Sequence, residues 1–121
     1  MVKRIAVYGT LREGGYNYRK SIGKPLFSGF VPLPYIMVLP YSYPALVNDN
    51  NMRDVKIEVY DVPDSTYNSI DIMELGAGYH KEEIETPVGK ADIWVWARER
   101  AINKTYPIIK SGDYIAEYNG V

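Results

Sequence analysis

Two groups of residues in this chain have the chemical type and the spacing to do work. The first is a pair of carboxylates. Asp71 and Glu74 stand three apart in a stretch, Pro63 to Leu75, that reads as a helix. They therefore share a face and could act together as acid and base. Glu74 falls near the inward C-terminal edge of that helix, where the macrodipole disfavours a carboxylate and burial would raise its affinity for a proton. The second group is backbone. In Val7-Tyr8-Gly9-Thr10-Leu11-Arg12 a strand-like run breaks at a glycine, so the amides of Gly9, Thr10 and Leu11 lose strand partners. They must find water, a local cap or an anionic group of a ligand, although a plain β-turn would explain the same pattern.

Other chemistry is excluded by what the sequence lacks. There are no cysteines, so disulfides, thiolate zinc sites and cysteine nucleophiles are out. His80 is the single histidine. Alone it builds no metal site, and any Ser-His-Asp triad would have to use it. No metal and no cofactor are expected.

The bulk properties point the same way. A chain of 121 residues suits one domain, 1–121. Fourteen basic against fifteen acidic residues give a formal net charge of -1, which supplies no field for capturing nucleic acid or an anionic membrane. Met1 to Ile5 runs directly into a strand with no apolar signal-like core, and no apolar run reaches membrane-spanning length. The expectation is a cytoplasmic protein whose partner is a small molecule. Twelve tyrosines accompany only two phenylalanines. Tyrosine is a good strand residue with a polar tip, so most should occupy half-buried sheet positions; an oligomer interface is the other use for such a surface.

The elements that must position these residues follow in order. Lys3 to Tyr8 reads as a strand. Arg12 to Ile22 begins as a loop through Gly14-Gly15 and closes with helical turns before Gly23. Phe27 to Pro32 and Tyr35 to Leu39 read as two short strands broken by Pro32, Pro34 and Pro40, at an edge or bend. Tyr41 to Val47 reads as a turn into another strand, and Asn48 to Asn51 as a loop before a strand that resumes at Arg53 and runs to Val62. The helix follows, with Asp64 or Ser65 as its cap and Tyr67, Ile70 and Met73 or Glu74 facing inward. Gly76-Ala77-Gly78 leads into a hairpin, Tyr79 to Thr86 and Lys90 to Arg98. In its second strand Ala91, Ile93, Val95 and Ala97 oppose Trp94 and Trp96, so both faces are covered and the strand is central. Glu82, Glu83 and Glu85 are expected on a solvated edge, and His80 at the surface. Asn103 to Val121 is expected to wrap irregularly. The predicted class is α+β: a small mixed, mainly antiparallel β-barrel with one or two flanking helices.

Tyr8-Gly9-Thr10-Leu11-Arg12 at the end of a first strand resembles the signature of the gamma-glutamylcyclotransferase-like family, and of its gamma-glutamylamine branch. Further matches follow in order: Tyr43-Pro44-Ala45-Leu46-Val47, Glu58-Val59-Tyr60, Ile70-Asp71-Ile72-Met73-Glu74, Tyr79 and Ser111-Gly112-Asp113-Tyr114. They span nearly the whole chain. The resemblance implies the same barrel, with a pocket between the Tyr8-to-Leu11 loop and the helix of Glu74. It implies that Glu74 is the catalytic acid/base and that Tyr8, Gly9, Thr10 and Leu11 bind the gamma-glutamyl group. Tyr79 would orient Glu74 or touch substrate, with a core tyrosine as the alternative; Tyr43 and Tyr114 stand open in the same way. Arg12 is expected to brace the loop by ion pairing.

The reaction the resemblance implies needs no protein nucleophile. The α-amine of a gamma-glutamyl amide attacks its own side-chain carbonyl, releasing an amine and 5-oxoproline. Departures from the family's pattern alter the rim: Lys56-Ile57 where a glycine is common, Leu75 after the glutamate, and His80-Lys81 where an arginine follows the tyrosine. The alternative function is a non-catalytic small-molecule binding module on the same fold.

Overall fold

β1 (Val2–Val7) starts exposed and ends fully buried, with Ile5 and Val7 in one apolar cluster and Ala6 in another. A strand covered on both faces belongs mid-sheet. In the computed structural model, which describes residues 2–9, 11–12, 23–40, 43–97 and 105–119, β1 is indeed the middle strand of five. It pairs antiparallel with β3 (Ala45–Pro63), from Val2↔Pro63 to Val7↔Glu58, and parallel with β5 (Gly89–Trp96) at Ile5↔Asp92. β2 (Phe27–Val38) flanks β3, and β4 (Tyr79–Thr86) flanks β5, giving the order β2-β3-β1-β5-β4.

The sheet curls because β3 outruns β1. Its N-terminal half meets β5 directly at Val47↔Trp96. The barrel is not closed: among the described residues no ladder joins the edges β2 and β4. A side chain spans them instead, the Tyr35 hydroxyl donating to Glu82 at 2.5 Å. The class is α+β, as the element pattern predicts.

α1 (Asp64–Gly76) covers one face of the sheet, burying Tyr67 and Ile70 against Val62, Trp94 and Trp96. The other face holds Val31, Leu33, Ile57, Ile93 and Val95, with Ile109 and Tyr114 of the C-terminal segment packed on it. The alternation in β5 therefore divides as the sequence predicts. No helix among the described residues is long and apolar enough to cross a membrane.

Four local expectations are corrected. β2 is one strand, not two; its prolines lie on an edge strand, where a missing N–H need not break a central ladder, and the pairing shifts register between Leu33 and Tyr35. Asn48 to Asn51 is not a loop between strands. Tyr35 pairs with Asn48 and Leu33 with Arg53, so the polar run bulges within β3, with Asn50 in the left-handed region at φ 62°. Neither Asp64 nor Ser65 caps α1: Pro63 is the N-cap with no side-chain bond, and Asp64 lies in the first turn, where its charge suits the dipole. The tail is not wholly irregular. Ile108 bridges to Val38, and α2 (Tyr114–Asn119) follows, with Asp113 accepting the Ala116 amide at 3.1 Å. The expected Gly14-Gly15 loop and the helical turns before Gly23 fall outside the described residues.

Candidate functional site

The site grows from the end of β1. Tyr8, one residue past the strand, is buried; its hydroxyl donates to the Trp94 carbonyl at 2.8 Å and accepts the Leu46 amide at 3.2 Å. Burial holds the phenol's proton well above its ordinary range, and the nearby Tyr79 and Glu74 add to the shift. Gly9 follows against the Tyr43-Pro44 segment: a Cβ there would lie 2.9 Å from Pro44 Cγ, so the turn can approach this closely only as glycine. The Arg12 amide donates to the Gly9 carbonyl at 3.1 Å and closes the turn, while Leu11 is buried in the cluster beneath α1. Thr10 lies outside the described residues.

Glu74 sits two turns after Tyr67, on the stripe of α1 that faces the sheet, and is half-buried. Burial raises its carboxyl from the ordinary 4.5 to about 7. Among the described residues no cation and no hydrogen-bond donor is paired with it. Asp71, three residues earlier, accepts the Trp94 indole N–H at 2.8 Å and so ties the helix to β5.

Tyr79 enters β4 directly after α1. Its hydroxyl donates to the Pro44 carbonyl at 2.7 Å, and its ring makes tilted contacts with Trp96, centroids 6.2 Å apart, and Tyr43, 6.4 Å apart. Tyr8, Gly9 and Tyr79 thus converge on one short segment, residues 43–46. That segment is the third wall of the site. Sequence reasoning singled out Tyr43 there and passed over Pro44, although Pro44 stands in the same motif. Tyr114 is buried in the apolar cluster of the opposite face. His80 is half-exposed and lies 2.8 Å from Glu82. Glu83 and Glu85 are solvated, but Glu82 is half-buried because it receives Tyr35 from the far edge.

Arg12 points away from the turn into a buried ionic cluster. It is 5 % exposed, as is Glu58. Its Nε lies 3.4 Å from Glu58 and its Nη1 donates to Asp113 at 2.8 Å, while Glu58 also accepts the Tyr60 hydroxyl at 2.6 Å. Burial works to raise the Asp113 carboxyl, but the hydrogen bonds from Arg12 and the Ala116 amide outweigh it and hold it below the usual range. The expected brace is there.

A carboxyl that titrates near neutrality can both take and return a proton at pH 7. The hydroxyls of Tyr8 and Tyr79 already donate to carbonyls, so meeting a developing oxyanion would cost either of them that bond.

A curled mixed sheet, a glycine turn at the end of its first strand and a half-buried glutamate on the helix that covers one sheet face define an α+β fold with a candidate acid/base site. Residues 5–116 match the family described as gamma-glutamyl cyclotransferase, AIG2-like. PH0828 of Pyrococcus horikoshii is 34 % identical over 116 residues, covering 92 % of this chain and 90 % of that one. Its crystal structure superposes with a TM-score of 0.77 over 97 % of this chain and 92 % of that one. YtfP of Escherichia coli K12, a gamma-glutamylcyclotransferase family protein, is 30 % identical over 113 residues, 93 % of this chain and 96 % of its own length. The solution structure of the Escherichia coli protein gives a TM-score of 0.67 at 28 % identity, over 94 % and 97 % of the two chains. This chain belongs to the gamma-glutamyl cyclotransferase, AIG2-like family.

Proposed function

We propose that the chain is a gamma-glutamylcyclotransferase-type enzyme that acts on a small gamma-glutamyl amide, with Glu74 as its acid and base. The substrate's α-nitrogen attacks its own side-chain carbonyl carbon. A carbon–nitrogen bond forms, the original amide bond breaks, and the products are 5-oxoproline and a free amine. Holding nucleophile and carbonyl in one molecule supplies an effective concentration that can reach about 10⁵ M or more. What remains for the protein is to fold the substrate and move protons from the α-nitrogen to the leaving nitrogen. At neutral pH the α-amine is mostly an ammonium, so Glu74 takes one proton to free the nucleophile and delivers it to the leaving nitrogen. The second proton lost by the α-nitrogen as the lactam forms passes to the released amine, which departs as an ammonium. The turn of Tyr8 to Leu11 holds the gamma-glutamyl group, and its amides meet the oxyanion.

The observation that carries this reading is the environment of Glu74: half-buried, with no cation paired to it among the described residues, and raised by burial to about 7. A module that merely read a ligand's ammonium would do better with a carboxylate at or below its unperturbed value of about 4.3. Burial in this site works in the opposite direction.

The test is a mass-spectrometric assay for 5-oxoproline with gamma-glutamyl amines and dipeptides, using wild type and Glu74→Gln. Product from wild type with at least a hundredfold loss in the variant is the expected result, a factor in the range removed with a general acid–base group, about 10²–10⁴. Equal product from both would remove Glu74 from the mechanism. Binding without turnover by wild type would make the chain a binding module.

A further inference from the structure

The turn that begins the site is tied to the far end of the chain. Arg12 closes the turn through its own backbone, donating its amide to the Gly9 carbonyl at 3.1 Å, while its side chain reaches Asp113, which is 101 residues away in sequence. The guanidinium is almost wholly out of water. Its other acidic neighbour, Glu58, is 3.4 Å away and is shared with the Tyr60 hydroxyl, whereas the Asp113 bond is 2.8 Å. Asp113 is therefore the tighter of the two partners that make Arg12 tolerable where it lies.

The segment carrying Asp113 is itself fixed. The Lys56 amide of β3 donates to the Gly112 carbonyl at 2.8 Å, and the Ile109 amide donates to Met37 of β2 at 2.9 Å. Asp113 thus approaches Arg12 from a docked backbone.

We infer that Asp113 is a positioning residue for the substrate-holding turn, acting through Arg12 as a strap from the C-terminal segment to the end of β1. The physical reason is the cost of a buried charge that loses the closer of its two partners and keeps only Glu58 at 3.4 Å. If Asp113 loses its charge, the guanidinium gains by moving toward water. Its backbone is the closing residue of the turn, so that movement reopens the Gly9-to-Arg12 bond and displaces the amides that meet substrate. Glu74 is on a different element and keeps its environment. The strap therefore governs how well substrate is held, and leaves the proton chemistry alone. The kinetic part of this inference rests on the function proposed above; the structural part does not.

Asp113→Asn is the discriminating variant. Asparagine caps a helix about as well as aspartate, so the bond to the Ala116 amide is retained and only the charge opposite Arg12 is removed. The expected result is a KM raised about tenfold, kcat within about threefold of wild type, an unmoved pH midpoint for kcat, and faster hydrogen exchange at the Arg12 amide. Arg12→Lys, which keeps the charge but loses the fork that reaches two carboxylates, should give the same signature and serves if Asp113→Asn does not fold. Unchanged Arg12 exchange would overturn the strap. Faster exchange with an unchanged KM would overturn the claim that the strap serves substrate. If wild type makes no 5-oxoproline, the proposed reaction fails while the exchange experiment still decides the strap.

Discussion

A carboxyl whose proton affinity is raised by burial is more stable with its proton on, and Glu74 therefore carries the opposite pH signature to an ion-paired acid such as Asp113. Its folded value of about 7 exceeds the ordinary 4.5, so between those limits the folded chain binds more protons than the unfolded one. The stability contributed by this residue is thus greatest below the unfolded value and falls as pH rises through the folded one. Replacing the carboxyl by an uncharged isostere removes that loss. Glu74→Gln is expected to be more stable than wild type at pH 8, with the gap closing towards pH 4.5. At about 1.4 kcal/mol per pKa unit, discounted for the partial exposure of the side chain, the gap should be on the order of 1–3 kcal/mol. Urea denaturation at the two pH values measures it, and a gap that does not change with pH would show that burial is not what raises Glu74. The residue itself was legible in sequence only in part: the helical period left Met73 or Glu74 for the inward position, and the resemblance singled out Glu74. The fate of Asp71 was not: the same period gives it the same face, and only the pairing of α1 with β5 decides that an indole N–H lies opposite it.

At the scale of the element, α1 is set by polar pins along its inner stripe as much as by apolar burial. Tyr67 donates to Asp92 at 2.7 Å and receives Lys81 at 2.7 Å, and four residues on, Asp71 receives Trp94. Glu74 is the next position on that stripe, so the pins fix the rotation that turns it towards the sheet. This assigns Asp71 a structural task that needs an acceptor oxygen but no charge. Asp71→Asn keeps that oxygen and should retain wild-type stability and turnover. Asp71→Leu leaves the Trp94 N–H without its acceptor and should cost about 1–3 kcal/mol in denaturant unfolding. Loss of turnover in the asparagine variant at unchanged stability would instead make Asp71 a partner of Glu74 in catalysis. The helix range and the β4–β5 hairpin could be read from periodicity and turn residues, since both are set by neighbours in sequence. The unity of β2 and the passage of β3 through Asn48 to Asn51 could not. There the long-range pairing of each strand's flanks overrides prolines and a polar run that locally favour a break.

The whole molecule closes on itself through its chain ends, and one residue shows how tight that closure is. Gly112 docks on β3 at φ 72°, and a Cβ there would lie 2.1 Å from the Asp54 carbonyl oxygen. The resemblance pointed to Ser111-Gly112-Asp113, but a triplet that reads locally as a turn does not reveal that its backbone presses on a strand some 60 residues earlier. Neither does it reveal the Val47↔Trp96 pairing that curls the sheet and gives the tail a surface to meet. The consequence is a prediction about substitution by a single methyl. Gly112→Ala must either adopt a left-handed backbone against a carbonyl or unseat the segment, at a cost of about 3 kcal/mol, which lowers Tm by roughly 10 °C for a chain of this size. Gly76, in the last turn of α1, has open space around a built Cβ and no positive φ, so Gly76→Ala should be neutral or stabilising by up to about 1 kcal/mol. Calorimetry of the two variants separates the readings. A large loss confined to Gly112→Ala places the C-terminal segment against β3 as part of the cooperative fold, whereas a small loss at Gly112 would mean that the segment can lift from the sheet while the rest stays folded. In that second case the strap to Arg12 would be slack, because Asp113 can hold the turn only from a backbone that is itself held.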